Sequence, residues 1–383
     1  MLMKILFWLA LLVSVYIYLG YPLVLWILDK FRRKQWKTDE QLQPVVTFII
    51  SAFNEEQVIA RKLDNTLQID YPREKLEILV VSDASTDQTD EIVRSYADKG
   101  VRLLRMPERH GKTYGLNHAV QQARGEILIF SDANAMYHPH AVRELVKYFA
   151  DPEVGYVVGK AEYYENLDKL AGKQENLYWR YELMLKEFES RVHSVVGGDG
   201  AIYAIRRELY EPLSADDIND FVNPLQIIAK GYRGVFAPEA VCYEDAAGDF
   251  DKEFYRKKRI VNRSWRGFWK VRQVMNPRRT GIFAWEILSH KVLRWYWWAF
   301  ALLLLVSNMF LLQEGWFYRI VFLLQIVFYG MALVGWWNVR QKKELPSWFL
   351  IPFYFIEVHV ASLIGLLESF SGKKYQTWNT ART

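Results

Sequence analysis

Val45-Val-Thr-Phe-Ile-Ile-Ser51 runs into Ala52-Phe-Asn-Glu-Glu56, Leu76-Glu-Ile-Leu-Val-Val81 into Ser82-Asp-Ala-Ser-Thr-Asp87, and Glu126-Ile-Leu-Ile-Phe130 into Ser131-Asp-Ala-Asn134. Each is a short apolar run that ends in acidic or amide side chains. Such runs suit strands buried on both faces, and the segments between them have helical period, so the pattern is a parallel α/β sheet. Ligands of these sheets lie beyond the carboxyl ends of the strands. Glu55, Asp83 and Asp132 therefore share one rim, suited to a nucleotide and a divalent cation.

The 383 residues leave room for one large domain or two, and aromatic residues at 16%, fifteen of them Trp, exceed what a soluble domain carries. Trp and Tyr favour membrane interfaces. The net charge of +5 is concentrated, with eleven Lys or Arg against one Glu between Lys252 and Arg279. The single cysteine, Cys242, excludes an internal disulfide and thiolate clusters. Residues 5–28 carry no charge, long enough to cross a bilayer core of roughly 30 Å. No small-x-small cleavage site comes after it, so the segment reads as an anchor rather than a signal peptide. Lys30, Arg32, Arg33, Lys34 and Lys37 come next and make the residues beyond them cytoplasmic by the positive-inside rule.

Within the body, a first helix is expected from near Asn54 to before Asp70, with Leu63 and Leu67 inward. A second is expected over residues 86–98, with Ser85 or Thr86 as N-cap and Gly100 as its stop. Arg109-His-Gly-Lys-Thr113 opens a third, between the second and third strands. Its N-terminus with Lys112 beside it suits a phosphate, although a solvated lysine is the plainer reading. Residues 154–158 and 161–164 read as two strands. Residues 175–191 read as a helix with Leu177, Tyr181, Met184, Leu185 and Phe188 near one stripe.

The motifs Ala-Phe-Asn-Glu-Glu56, Ser-Asp-Ala-Ser-Thr-Asp87, His-Gly-Lys-x-x-Gly-Leu-Asn117 and Ser-Asp-Ala-Asn134, in this order, resemble the inverting family-two glycosyltransferases with the GT-A (Rossmann-like) fold. The resemblance covers residues 45–269, and the flanking apolar segments are similar to those of the family's membrane-integrated, polysaccharide- and glycolipid-making branch. It implies that Phe53, Glu55 and Asp83 hold the base and ribose of a nucleotide sugar, with Lys112 and Asp132 also on the donor. It further implies Mg²⁺ or Mn²⁺ on Asp132 and Asn134, hard oxygen ligands of the kind such cations take. Asn134 stands where the family's second aspartate sits. The Gly-rich loop holding Gly198, Asp199 and Gly200 corresponds to an acceptor-shaping loop, although Asp199 alone could serve a left-handed turn.

Sugar transfer needs a carboxylate base for the acceptor hydroxyl. The family register puts it at Asp220, with Asn219 in place of the usual glutamate. Asp216 or Asp217 serves if the register slips, and all three carboxylates could instead cap the helix. On a helix after residue 250, Arg256, Arg259, Arg263, Arg266 and Lys270 share one face, and Phe254, Val261, Trp265, Phe268 and Trp269 share the other, as in an interfacial helix. The family's Gln-x-x-Arg-Trp motif falls at Arg256, Arg259 and Ile260. Only the arginine is kept, which favours one or a few additions and assigns Arg259, with Arg256 beside it, to the diphosphate.

Residues 292–312 and 316–337 are apolar enough to span a bilayer. Residues 351–370 span, re-enter or lie in the interface, because Glu357, His359 and Glu368 are expensive at membrane depth unless they satisfy each other or a headgroup. The expected organisation is an anchor at 1–30, a cytosolic catalytic domain at 44–248, a basic amphipathic interface region at 250–285, membrane helices at 290–370 and a basic tail at 371–383. The expected activity is inverting transfer from a nucleotide sugar to a lipid-linked or growing saccharide acceptor at the plasma (inner) membrane. Membrane lipids are the expected surroundings and nucleic acid is not an expected partner. The other reading is a non-catalytic nucleotide-binding subunit of a polysaccharide assembly or transport complex.

Overall fold

The computed structural model describes residues 1–164, 170–245, 250–341, 343 and 346–377. Its centre is an eight-stranded sheet: β1 (Val46–Ala52), β2 (Leu76–Ser82), β3 (Val101–Arg105), β4 (Ile127–Asp132), β5 (Met136–Tyr137), β6 (Val154–Tyr164), β7 (Tyr203–Arg206) and β8 (Arg233–Asp245), in the order β3-β2-β1-β4-β7-β6-β8-β5. β3, β2, β1 and β4 are parallel, as expected, and β7 then pairs antiparallel to β4 and β6. The sheet is therefore mixed, and it holds a strand, β3, that the apolar pattern does not announce. β6 is one strand with register shifts, where the sequence suggests two. Register sets Ser51 beside Asp132 and Ala52 beside Ser82, so the three polar segments leave the sheet side by side.

Alternate residues of β1 feed two cores. Phe48 and Ile50 pack with Ile59 and Leu63 of α3 (Ile59–Leu67, after α1, Leu2–Val15, and α2, Tyr21–Arg32). Ile49 packs on the opposite face, in the core that holds α5 (Lys112–Gln122, after α4, Thr89–Arg94), α8 (Asn219–Ala229, after α6, Ala141–Val146, and α7, Leu170–Val192) and α9 (Phe250–Lys270). A side chain of this size is worth roughly 1.5–3 kcal/mol when fully buried.

Helix starts shift from the expected positions for local reasons. Asn54 has φ +53° and its Oδ1 accepts from Thr86 N at 2.8 Å, so α3 begins five residues later than expected. α4 begins at Thr89, three residues beyond Thr86, so neither Ser85 nor Thr86 caps it, and Asp87 Oδ1 accepts from Thr89 N at 3.0 Å where it starts. Gly100, at φ +82°, closes this segment in the left-handed conformation expected of it. α5 lies between β3 and β4.

Leu2–Arg32, Trp316–Arg340 and Trp348–Phe370 are long and apolar enough to cross a membrane. The expected span at 292–312 is instead the second arm of a pair, Phe283–Trp295 and Trp297–Met309, bent by 61°. In order these helices are α10 (Pro277–Thr280), α11 (Phe283–Ile287), α12 (Leu293–Trp295), α13 (Trp297–Met309), α14 (Trp316–Arg340) and α15 (Ser347–Phe370). His359 turns to the anchor rather than to Glu357: its Nε2 meets Tyr18 Oη at 2.8 Å, while its Nδ1 is buried without a hydrogen-bond partner among the described residues. α15 runs beside α9, with Gly365 against the Lys258 carbonyl. Beyond it, Asn262 Nδ2 donates to Lys373 O at 3.3 Å and the Gln376 carbonyl lies against Gly111. The end of the basic tail, residues 378–383, lies outside the described residues, as do the side chain of Leu177 and the 246–248 edge of the expected domain.

Candidate active site

The site forms where β1, β2 and β4 end and the loops before α5 and α8 meet them. Asp83 leaves β2 with only 2% of its surface exposed; its Oδ1 accepts from His110 N at 2.9 Å and its Oδ2 from Gly111 N at 2.8 Å. It thereby holds the loop that opens α5. From that helix N-terminus Lys112 Nζ pairs with Asp132 Oδ1 at the end of β4. Across the rim the Arg109 guanidinium lies 3.7 Å from the centre of the Phe53 ring, and Glu55 N donates to Thr89 Oγ1 at 2.8 Å.

Gly200 marks the centre. A Cβ there would sit 3.2 Å from Asp220 Oδ2, 3.4 Å from Lys112 Nζ and 3.6 Å from Asp132 Oδ2, so three groups from distant parts of the chain face one gap. The glycine loop is fastened by Gly198 N donating to Asp220 O at 2.5 Å, and by Asp199, whose Oδ2 accepts from Lys186 Nζ at 3.2 Å. Asp199 is thus engaged at the loop's own anchor.

Asp220 is the second residue of α8. Its Oδ1 is buried without a hydrogen-bond partner among the described residues. Burial pushes its carboxyl above the ordinary aspartate value, and Lys112 only partly opposes this. Such a carboxylate has an acceptor oxygen to spare. Asp216 and Asp217 do not. Asp216 pairs with Arg266 at 3.1 Å and Asp217 with Lys270 at 2.6 Å, and the Asp217 carbonyl accepts from Thr113 Oγ1. Their carboxylates therefore hold α9 to the loop before α8. Asn219 donates to Tyr203 Oη at 2.7 Å, a packing role.

α9 is turned differently from expectation. Arg263, on its basic face, is 6% exposed and donates to the carbonyls of Asp216 and Asp217 and to Thr113 Oγ1. Val261, Trp265 and Phe268, on its apolar face, are buried in the protein core. The middle of both faces thus packs on protein, whereas Trp269 and Lys270 at the helix end are exposed. Burial lowers the Arg259 guanidinium pKa, as does Arg256 nearby, whereas the Asp132 and Asp220 carboxylates, within electrostatic reach, raise it. Arg256 itself makes a two-pronged pair with Glu253, at 2.6 and 2.9 Å.

A divalent cation needs oxygen ligands. Among the described residues no three His, Cys, Asp or Glu side chains gather as a metal-binding group. Mg²⁺ and Mn²⁺ accept one or two protein oxygens completed by substrate phosphates and water. The Asp132 carboxylate, 37% exposed, fits that demand. Asn134 directs its Nδ2 to Glu244 Oε1 at 2.8 Å, which leaves its amide oxygen as the second donor.

Sequence reasoning missed Lys62, fully buried under this turn, with Nζ donating to Ser131 Oγ at 2.8 Å and to the Ala135 carbonyl. The available signal was its place on the apolar stripe of Ile59, Leu63 and Thr66.

Residues 47–213 match the family described as Glycosyl transferase family 2. The chain is 27% identical over 205 residues to a probable glycosyltransferase of Bacillus subtilis, covering 52% of this chain and 49% of that protein. It is 30% identical over 167 residues to a beta-monoglucosyldiacylglycerol synthase of Synechocystis, covering 42% and 33%. It therefore spans about half or less of these relatives. Among solved structures, a mannosyltransferase from Pyrobaculum calidifontis in complex with GDP-Man and Mn²⁺ superposes with a TM-score of 0.69 at 26% identity, over 94% of this chain and 99% of that one. The GT-A fold expected from the motifs is the fold of the chain.

Proposed function

We propose that this chain, whose residues 47–213 are a glycosyl transferase family 2 domain, moves a sugar with inversion from a nucleoside diphosphate sugar to a lipid-linked or saccharide acceptor at a membrane. One observation carries the reading: Lys112, Asp132 and Asp220 converge on the gap beside Gly200, with Arg259 within electrostatic reach of the two carboxylates. In this reading Phe53, Glu55 and Asp83 bound the nucleoside end, and Gly198, Asp199 and Gly200 shape the acceptor side.

Asp220 takes the proton of the acceptor hydroxyl as that oxygen attacks the anomeric carbon. The bond from that carbon to the diphosphate oxygen breaks on the opposite face. Lys112 and Arg259, with Arg256 behind, meet the charge that builds on the departing diphosphate, the kind of preorganised stabilisation that accounts for much of enzymatic rate. Asp132 and Asn134 would hold Mg²⁺ or Mn²⁺, which neutralises diphosphate charge when bound. The P. calidifontis mannosyltransferase, solved with both a nucleotide sugar and Mn²⁺, supports the metal and the donor class.

The rival reading, a nucleotide-binding subunit without catalysis, leaves the partnerless oxygen of Asp220 without a purpose. A buried, unsatisfied acceptor costs about 1–3 kcal/mol.

Three features support a membrane site with the domain on the cytoplasmic face. Basic residues cluster where α2 leaves the bilayer. Lys34 N donates to Arg191 O at 2.9 Å, which ties that end of the anchor to the domain. Glucosyldiacylglycerol synthesis by a relative agrees with an amphiphilic acceptor.

The test is release of nucleoside diphosphate by the detergent-solubilised protein with Mn²⁺, using GDP-mannose and UDP-glucose in turn, for the wild type and Asp220→Asn. Equal release by both proteins removes Asp220 as the base; release by neither, with nucleotide bound, favours the rival.

A further inference from the structure

We propose that Lys62 is a positioning residue of the donor site, a buried splint that sets where Asp132 and Asn134 stand. The proposal rests on the functional reading above. Lys62 has no exposed surface, although it belongs to the residue type least often found inside. Its two acceptors, Ser131 Oγ and the Ala135 carbonyl, bracket the Asp132-Ala133-Asn134 segment from below. One turn further along α3, Asn65 holds the other end of the same segment: Nδ2 donates to Tyr137 O at 2.8 Å, and Oδ1 accepts from Tyr137 N at 2.7 Å. The Tyr137 and Phe48 rings stand 4.4 and 5.0 Å from Lys62 Nζ and close its pocket.

Both acceptors of Lys62 are neutral oxygens. Burial pushes its amine down to about 7, a cost that an apolar residue of the same length would not carry. A neutral amine still has two N–H donors for two acceptors, so the splint holds in either protonation state. What it holds is the short turn between β4 and β5 in which two residues face the donor. A side chain that ties such a turn from the protein side orients the ligating oxygens without touching the ligand. Removal of supports of this kind lowers metal affinity about 10–100-fold.

The experiment compares full-length, detergent-solubilised wild type, Lys62→Met and Ser131→Ala. Mn²⁺ binding is read by electron paramagnetic resonance with GDP and then UDP present, beside thermal unfolding and separate KM values for donor and acceptor. The proposal expects Lys62→Met to weaken Mn²⁺ and donor binding about tenfold or more while the acceptor KM stays put. Ser131→Ala is expected to weaken Mn²⁺ binding by a smaller factor and to add nothing when combined with Lys62→Met. A folded Lys62→Met that binds Mn²⁺ as the wild type does overturns the proposal. If Lys62→Met does not fold, Ser131→Ala alone decides, and unchanged Mn²⁺ binding there overturns it equally. A wild type that binds neither Mn²⁺ nor nucleotide sinks the functional reading and this proposal with it.

Discussion

Asp220 is placed where its charge is costly and its proton affinity is raised, and both consequences can be measured. As base it must be ionised, so kcat/KM should fall with acid along a limb displaced above the ordinary aspartate pKa of about 3.9. Asp220→Asn should lose roughly 10²–10⁴-fold in rate. Stability should move the other way. A folded-state pKa above the unfolded one favours the fold fully at pH below the unfolded value, and that favour is lost as pH rises through the raised value. At pH 7 the ionised side chain is therefore a burden, and Asp220→Asn should melt higher than the wild type, by roughly 2–4 °C for each kcal/mol relieved. The gap should close below about pH 4. An inactive variant that melts lower at pH 7 would contradict the buried-charge account. Gly200→Ala is a companion test from the opposite side of the gap. Its Cβ would sit in contact with Asp220, Lys112 and Asp132, so transfer should drop at least tenfold while unfolding barely changes, since the contacts are to side-chain ends that can shift.

The elements differ in how much of their role could be read from the chain. The three parallel strands and their polar ends were legible because burial on both faces demands unbroken apolar runs, and parallel register then aligns the ends of those runs. β3, Val-Arg-Leu-Leu-Arg, escaped because it is a five-residue edge strand, only partly buried, whose arginines break the apolar run. α9 was legible as amphipathic but not as to where its faces point. Helical spacing gives two faces and is silent on which neighbour covers each. The carbonyls at 215–217 and the paired carboxylates of Asp216 and Asp217 supplied an inner surface for the arginines. Burial pushes the Arg263 guanidinium down to about 10, so it is still a cation at neutral pH. Arg263→Met, which takes the guanidinium from the carbonyls of Asp216 and Asp217 and leaves Asp217 only the Thr113 hydroxyl beneath the loop that carries Asp220, should therefore destabilise by about 1–3 kcal/mol. Arg266→Ala, which breaks a pair nearer the surface, should cost about 1 kcal/mol. Thermal or denaturant unfolding of the two variants side by side decides, and the reverse order would mean that α9 meets lipid with its basic face after all.

Over the whole molecule, the order of contacts constrains how the helices cross the bilayer. Lys4, at the start of the anchor, pairs with Glu314 at 2.8 Å just before α14, whereas Lys34 at the other end is bonded to the domain. With the anchor spanning the bilayer, we expect the start of α14 on the face away from the domain. A spanning α14 ends on the domain's own face, where α15 begins. The tail beyond α15 meets Asn262 of α9 and Gly111 of the domain, so α15 is expected to start and finish on one side. We therefore expect it to lie along the interface beside α9, which suits its Glu357, His359 and Glu368 better than a crossing would. The chain offers a clean way to check this, because Cys242 is the only cysteine and is buried. Lys374→Cys and, as a domain marker, Glu74→Cys should both react with a membrane-impermeant maleimide in inverted vesicles and both resist it in right-side-out vesicles. Opposite labelling of the two positions would place the tail across the membrane. The contact between the Gln376 carbonyl and Gly111 would then be impossible.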